Sequence, residues 1–195
     1  MPDTAPCVPT FTAMLFGLSG CLVDFGARTQ ADAGPTPGAL QALKRLHHQG
    51  VPCAWLDELH DDLALPLAAP LPRWVKAIGT TEGKPWPAPD ACWQALMRLK
   101  VSRLEGCVLV SGDPRLLQSG LNAGLWTIGL ASCGPLCGLS ADEWQELDPR
   151  ERDLRRGKAT LKLFSLGVHS VIDHLEELDD CLADIALRRF KGEKP

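Results

Sequence analysis

Thr12-Ala13-Met14-Leu15-Phe16-Gly17-Leu18-Ser19-Gly20-Cys21 is the stretch on which the fold turns. Its apolar run, Thr12 to Leu18, is bounded by Pro9 and Gly20 and shows no polar alternation. A strand buried on both faces has that pattern. Downstream, residues 26 to 37 are small and polar and predict a loop. Pro37 then opens a helix with Leu40, Leu43 and Leu46 on one face and Gly50 as its stop. Val51 to Leu56 predicts the next strand. Residues 57 to 72, with four acids and three prolines, resist assignment.

The alternation continues to the end of the chain. Strands are predicted at Arg73–Ile78, Gly106–Val110, Leu125–Leu130 and His169–Ile172. Between them fall a helix capped by Asp90, a short helix from Pro114 to Gly124, and a capping box at Ser140-x-x-Glu143. A charged helix from Pro149 to Leu166 and a closing helix from Leu175 to Arg189 complete the pattern. Strands alternating with helices imply βαβ units: an α/β fold, three-layer and doubly wound around a mostly parallel sheet. Right-handed crossovers place a site at the carboxyl ends of the strands, after Leu18, Leu56 and Val110 and near Lys84.

The chain has 195 residues, which fits one domain, with residues 1–10 expected as an arm. A net charge of −4 without a basic block argues against nucleic-acid binding. No apolar run approaches the ~18 residues of a membrane span, and the Met14–Leu18 run lacks a preceding cation. A cytoplasmic protein is therefore expected. The eight cysteines mostly sit inside apolar runs, as small buried hydrophobes do. Cys133 and Cys137 lack a second ligand pair for zinc. Six tryptophans and no tyrosine are unusual. Trp86, between two prolines, is expected as an exposed anchor for a protein partner or a second copy, whereas Trp93 and Trp126 are expected in the core.

Phe16 to Gly26 is similar to the first motif of phosphonoacetaldehyde hydrolases, Asp-Trp-Ala-Gly-Thr-Thr-Val-Asp-Phe-Gly. That family is a branch of the haloacid dehalogenase (HAD) superfamily. Gly120-Leu121-Asn122-Ala123-Gly124-Leu125-Trp126-Thr127-Ile128-Gly129 resembles the region of its fourth motif more closely still. Gly138-Leu139-Ser140, Val171-Ile172-Asp173 and Lys191-Gly192-Glu193-Lys194-Pro195 extend the match, so the resemblance covers residues 12–26 and 83–195.

The resemblance implies an aspartyl nucleophile, Mg²⁺ held by further carboxylates, and a hydroxyl and a cation on the phosphoryl oxygens. Here the nucleophile position is Gly17, the second acid position Ser19, and the motif threonine Cys21. The metal-binding Asp falls on Gly112 and the second acid of that motif on Leu116, with Asp113 one residue away. The second-motif hydroxyl is Asp57, whose carboxylate would repel a phosphate, and Lys84 matches the phosphate-binding cation. Asp24 and Asp173 fit as loop supports. The helical cap that carries the family's Schiff-base lysine has no room between Gly26 and Pro37. No lysine precedes Lys44.

These departures predict a HAD-fold protein that has lost catalysis, with no cofactor, serving as a binding or regulatory module. The alternative is a Mg²⁺-dependent hydrolase of a phosphorylated small molecule with relocated groups: Asp24, Asp57 or Asp113 with Lys84, or Cys21 as a thiolate. Without a cap, the carboxyl edge of the sheet is expected to lie open to a partner or a phosphorylated ligand.

Overall fold

A computed structural model describes residues 11–25, 34–79 and 83–195. The predicted first strand is β1 (Ala13–Gly17), every residue of it buried. It lies between β2 (Cys53–Leu56) and β4 (Cys107–Ser111) in a six-stranded sheet ordered β3-β2-β1-β4-β5-β6. The outer strands are β3 (Lys76–Ile78), β5 (Trp126–Leu130) and β6 (Ser170–Ile172), and every pairing is parallel.

Period-two alternation splits β1 between two cores. Met14 and Phe16 pack with α1 (Ala39–His48) and α7 (Leu178–Phe190) on one face, whereas Ala13 and Leu15 pack with α3 (Asp90–Arg98) and α4 (Pro114–Asn122) on the other. A third cluster joins Leu117 of α4 to Ala159 and Leu163 of α6 (Pro149–Ser165). Helices thus cover both sheet faces, which gives the predicted three layers. The capping box forms at the start of α5 (Ala141–Glu146), with Ser140 and Glu143 each accepting the other's backbone N–H.

Several local expectations are corrected. The unassigned acidic stretch contains α2 (Asp61–Leu67), a short helix with Pro66 inside it. The third strand begins at Lys76 rather than Arg73, and a 3-10 turn (Leu175–Glu177) precedes the closing helix. Asp90 does not cap α3. Pro89 holds the cap position, and the Asp90 carboxylate accepts the backbone N–H of Lys84 at 3.4 Å. Trp93 is 47% exposed, because the buried stripe of α3 runs through Ala91, Cys92, Ala95 and Leu96 and leaves position 93 outside it. Trp86 is 5% exposed, packed in the cluster that contains Ile78 and Ala91.

His169, just before β6, is a pH-sensitive part of the frame. Its Nδ1 accepts the backbone N–H of Thr127 at 3.0 Å, which requires that nitrogen to be unprotonated. Burial first, then the Arg188 guanidinium, holds the imidazole below its usual range. Below the ordinary histidine pKa of about 6.5 the unfolded chain binds a proton that the folded chain resists. The stability present above that pH therefore declines as pH falls. Melting temperatures between pH 5.5 and 7.5 should drop more steeply for the wild type than for His169→Gln; equal slopes would refute this linkage.

Candidate functional site

The carboxyl ends of β1, β2 and β4 bring the matched motif positions together, as parallel topology requires. Gly17 ends β1, beside the end of β4 where Phe16 pairs with Val110. Both Gly17 and Ser111 are buried. A Cβ built on Gly17 would lie 2.8 Å from the Ser111 hydroxyl and 3.4 Å from Leu116 Cδ2. The space around the nucleophile position is thus filled from the neighbouring strand. The Ser111 Oγ is itself occupied, accepting the backbone N–H of Asp113 at 3.0 Å.

The metal position is closed by backbone. A Cβ on Gly112 would lie 2.5 Å from Gly134 Cα and 2.6 Å from the Gly20 carbonyl oxygen. A Cβ on Gly134 would in turn lie 2.6 Å from Gly112 Cα. The loop after β5, carrying Cys133-Gly134-Pro135, therefore presses directly on the turn after β4, with the turn after β1 beneath. Among the described residues this part of the sheet edge is closed: Ser19, Cys21 and Asp57 are all 5% exposed or less. Only glycine, without a Cβ, permits the approach of these two chains.

Asp57 ties the end of β2 to the first-motif loop. One oxygen accepts the Ser19 N–H at 3.1 Å and the other the Leu59 N–H at 3.0 Å. A carboxylate of the chain thus sits on a backbone donor of the first-motif loop and also holds its own strand-end turn through Leu59. Asp113 is the N-cap of α4, its Oδ1 accepting from Arg115 N at 2.7 Å and Leu116 N at 3.4 Å. Asp24 stands close enough to Cys133 for its charge to raise that thiol's pKa, after burial, the larger cause. Asp173 pairs with Arg156 at 2.9 Å. Lys84 is exposed in the β3–α3 loop.

Cys21 is fully buried and its Sγ donates to the Val110 carbonyl at 3.3 Å. Burial pushes its thiol well above the ordinary range, with Cys133 adding to the rise. A reactive cysteine needs the opposite shift and access to solvent, so the thiolate expectation does not hold. Among the described residues no group of three or more His, Cys, Asp or Glu is placed to hold a metal ion. Mg²⁺ takes hard oxygen ligands in near-octahedral array. The matched positions offer two glycines, a serine and a capping aspartate, so the donor set does not fit the ion.

Two residues that sequence reasoning passed over, Glu58 and Arg115, hold Trp86 in place. Glu58 accepts from the Arg115 guanidinium at 2.7 Å and from the Trp86 N–H at 2.7 Å, and Arg115 donates to the Trp86 carbonyl. This clasp joins the loops after β2 and β3 to the first turn of α4. It explains why Trp86 is packed inward, and nothing in local composition signals it.

Comparison with known proteins follows the same lines. A phosphonoacetaldehyde hydrolase from Klebsiella pneumoniae is 34% identical over 176 residues, which cover 89% of this chain and 64% of that one. A solved structure of a 67% identical chain superposes with a TM-score of 0.89 over 95% of this chain and 100% of that chain. The phosphonoacetaldehyde hydrolase-like protein from Oleispira antarctica, 20% identical, superposes with a TM-score of 0.88 over 100% of this chain and 99% of that one. HAD-family hydrolases are among the further structural neighbours. The chain is phosphonoacetaldehyde hydrolase-like and has the fold of the HAD-family hydrolases. It spans slightly under two thirds of the length of the first two curated relatives. No family model matches it. No helix among the described residues is long and apolar enough to cross a membrane.

Proposed function

We propose that this HAD-fold protein is non-catalytic and acts in the cytoplasm as a binding or regulatory module, with a protein partner or a second copy as its counterpart. The observation that carries the reading is the backbone contact of Gly112 with Gly134 and Gly20. It leaves no volume for a metal-binding side chain at position 112. The other departures agree with it. Gly17 cannot attack phosphorus, and Ser111 fills the space beside it. Asp57 takes up the Ser19 N–H of the first-motif loop. Charge stabilisation of a transferring phosphoryl group requires donors free to meet it.

The hydrolase alternative needs Asp24, Asp57 or Asp113 to serve the metal. Asp57 and Asp113 already accept two backbone N–H groups each, and releasing either carboxylate would break the local turn it holds.

The test is phosphate release from phosphonoacetaldehyde and from a simple phosphomonoester, with Mg²⁺ in excess and the purified full chain. The expected rate equals the rate without protein. Mg²⁺-dependent turnover that disappears in Asp113→Asn or Asp57→Asn would establish relocated chemistry and remove the proposal.

A further inference from the structure

The amino ends of the strands, opposite the motif positions, carry an apolar groove of about 410 Å³. It follows the outer side of α3 and the segment leading to β4, and is lined by Trp93, Leu96, Met97, Val101 and Leu104. Trp93 and Met97 stand one turn apart on α3 and are both exposed, Met97 by 69%. The Trp93 Nε1 donates to the Ala123 carbonyl at 3.4 Å, which holds the ring as a wall of the groove. A held but exposed tryptophan is the residue type that anchors interfaces. The rim of the groove is basic. Residues 96–104 include Arg98, Lys100 and Arg103 and no acid, and none of the three forms an ion pair among the described residues.

A surface of matching shape and charge stands on α7. Its buried stripe, with Leu178, Cys181, Leu182 and Ile185, packs into the core. Ala183, Leu187 and Phe190 are left exposed on the other side, Leu187 by 52%. Anchors at this spacing, i, i+4 and i+7, are those with which an amphipathic helix enters an apolar groove. Asp180 and Asp184 flank the strip, both exposed and neither in an ion pair among the described residues. The acids of α7 thus complement the cations of the groove.

The two surfaces adjoin. A second cavity, of about 530 Å³, is lined by Leu104 from the groove and by Arg189 and Gly192 from the end of α7. Its acids are already engaged: Glu105 lies 4.0 Å from Arg189, and Glu193 pairs with Arg188 at 2.9 Å. A two-fold axis through this shared cavity carries each groove to the α7 of the other copy, so that one contact brings the second with it.

We propose that the α3 groove receives the Ala183, Leu187 and Phe190 face of α7 from a second copy of this chain, reciprocally, in a two-fold dimer. The dimer names the counterpart in the binding-module reading and rests on that reading for its role. Loss of catalysis is tested by phosphate release and stands or falls separately.

Sedimentation equilibrium of the full chain, under reducing conditions and from low micromolar concentration upward, tests the pairing. The wild type should sediment at twice the chain mass and dissociate more readily at high salt. Met97→Asp sets an acid against Asp180 and Asp184, and Leu187→Lys sets a cation against the basic rim. Each should raise the dimer dissociation constant about tenfold or more, and Asp184→Lys should raise it less. All three side chains are exposed, so the variants should keep the wild-type circular dichroism spectrum. Mixing Met97→Asp with Leu187→Lys should restore the dimer, because the two altered surfaces then meet with opposite charge and the other contact is unaltered. A wild type that stays monomeric at every concentration would overturn the proposal. So would undiminished dimerisation of Met97→Asp or Leu187→Lys, or a mixture of the two that stays monomeric.

Discussion

Gly112→Asp, the substitution that puts back the carboxylate that the family places there, should destabilise the fold rather than restore a metal site. The new Cβ alone would lie 2.5 Å from Gly134 Cα and 2.6 Å from the Gly20 carbonyl oxygen. Those are main-chain atoms of two different loops, so no rotamer change relieves the overlap. Overpacking against flexible side chains typically costs about 1–3 kcal/mol. Overlap with backbone on two sides, plus a carboxylate buried without its metal, should cost about 4 kcal/mol or more. Urea unfolding should show a midpoint far below the wild type, or no folded protein at all. Gly17→Asp is the informative contrast, because its Cβ meets the Ser111 hydroxyl at 2.8 Å and the side chain of Leu116, both of which can rotate. It should fold with a smaller loss and, without the second carboxylate, gain no Mg²⁺ binding. If Gly112→Asp is as stable as the wild type and binds Mg²⁺, the loop after β5 moves freely and the closed site is only one of its positions.

Much of the frame could be read from the chain because its signals are local. β1, β4 and β5 are runs of apolar residues with turn residues after them, and Ser140-x-x-Glu143 specifies its own hydrogen bonds within four positions. The degenerate positions were readable for a similar reason, since a motif is a short string and Gly17 or Gly112 stands in it plainly. What local composition does not carry is which distant segments meet. Gly134 reads as a loop glycine, and nothing near it indicates that it rests on Gly112. Trp86 between prolines reads as exposed until Glu58, from the loop after β2, and Arg115, from α4, bind its peptide group. Trp93 reads as inward on residue type, although the buried stripe of α3 runs through Ala91, Cys92, Ala95 and Leu96 and leaves position 93 outside it. How open the sheet edge stands depends on the same distant contacts: among the described residues, Gly134 rests on Gly112 there.

Asp57→Ala should be the most damaging change among the aspartates discussed. Asp57 is 3% exposed and its two oxygens each accept a backbone N–H, one from Ser19 on the β1 loop and one from Leu59 in its own turn. Truncation leaves both donors without the carboxylate, and a buried donor left unpaired costs about 1–3 kcal/mol. The Leu59 turn lies nearer solvent, where water replaces part of the loss. The combined effect should be about 3 kcal/mol, read as a shift of the urea midpoint. Asp57→Asn keeps one oxygen acceptor and replaces the other with an amide that cannot accept, so it should fall between the wild type and Asp57→Ala. That ordering separates a hydrogen-bonding role from simple volume, because Asn and Asp are nearly equal in size. A neutral Asp57→Ala would mean that the Ser19 N–H is satisfied without the carboxylate, and the idea that an internal anion holds the first-motif loop closed would be lost. A graded loss would instead tie this loop's stability to the residue that stands where the family keeps a phosphate-binding hydroxyl. The chain would then have replaced a ligand contact by a contact with itself.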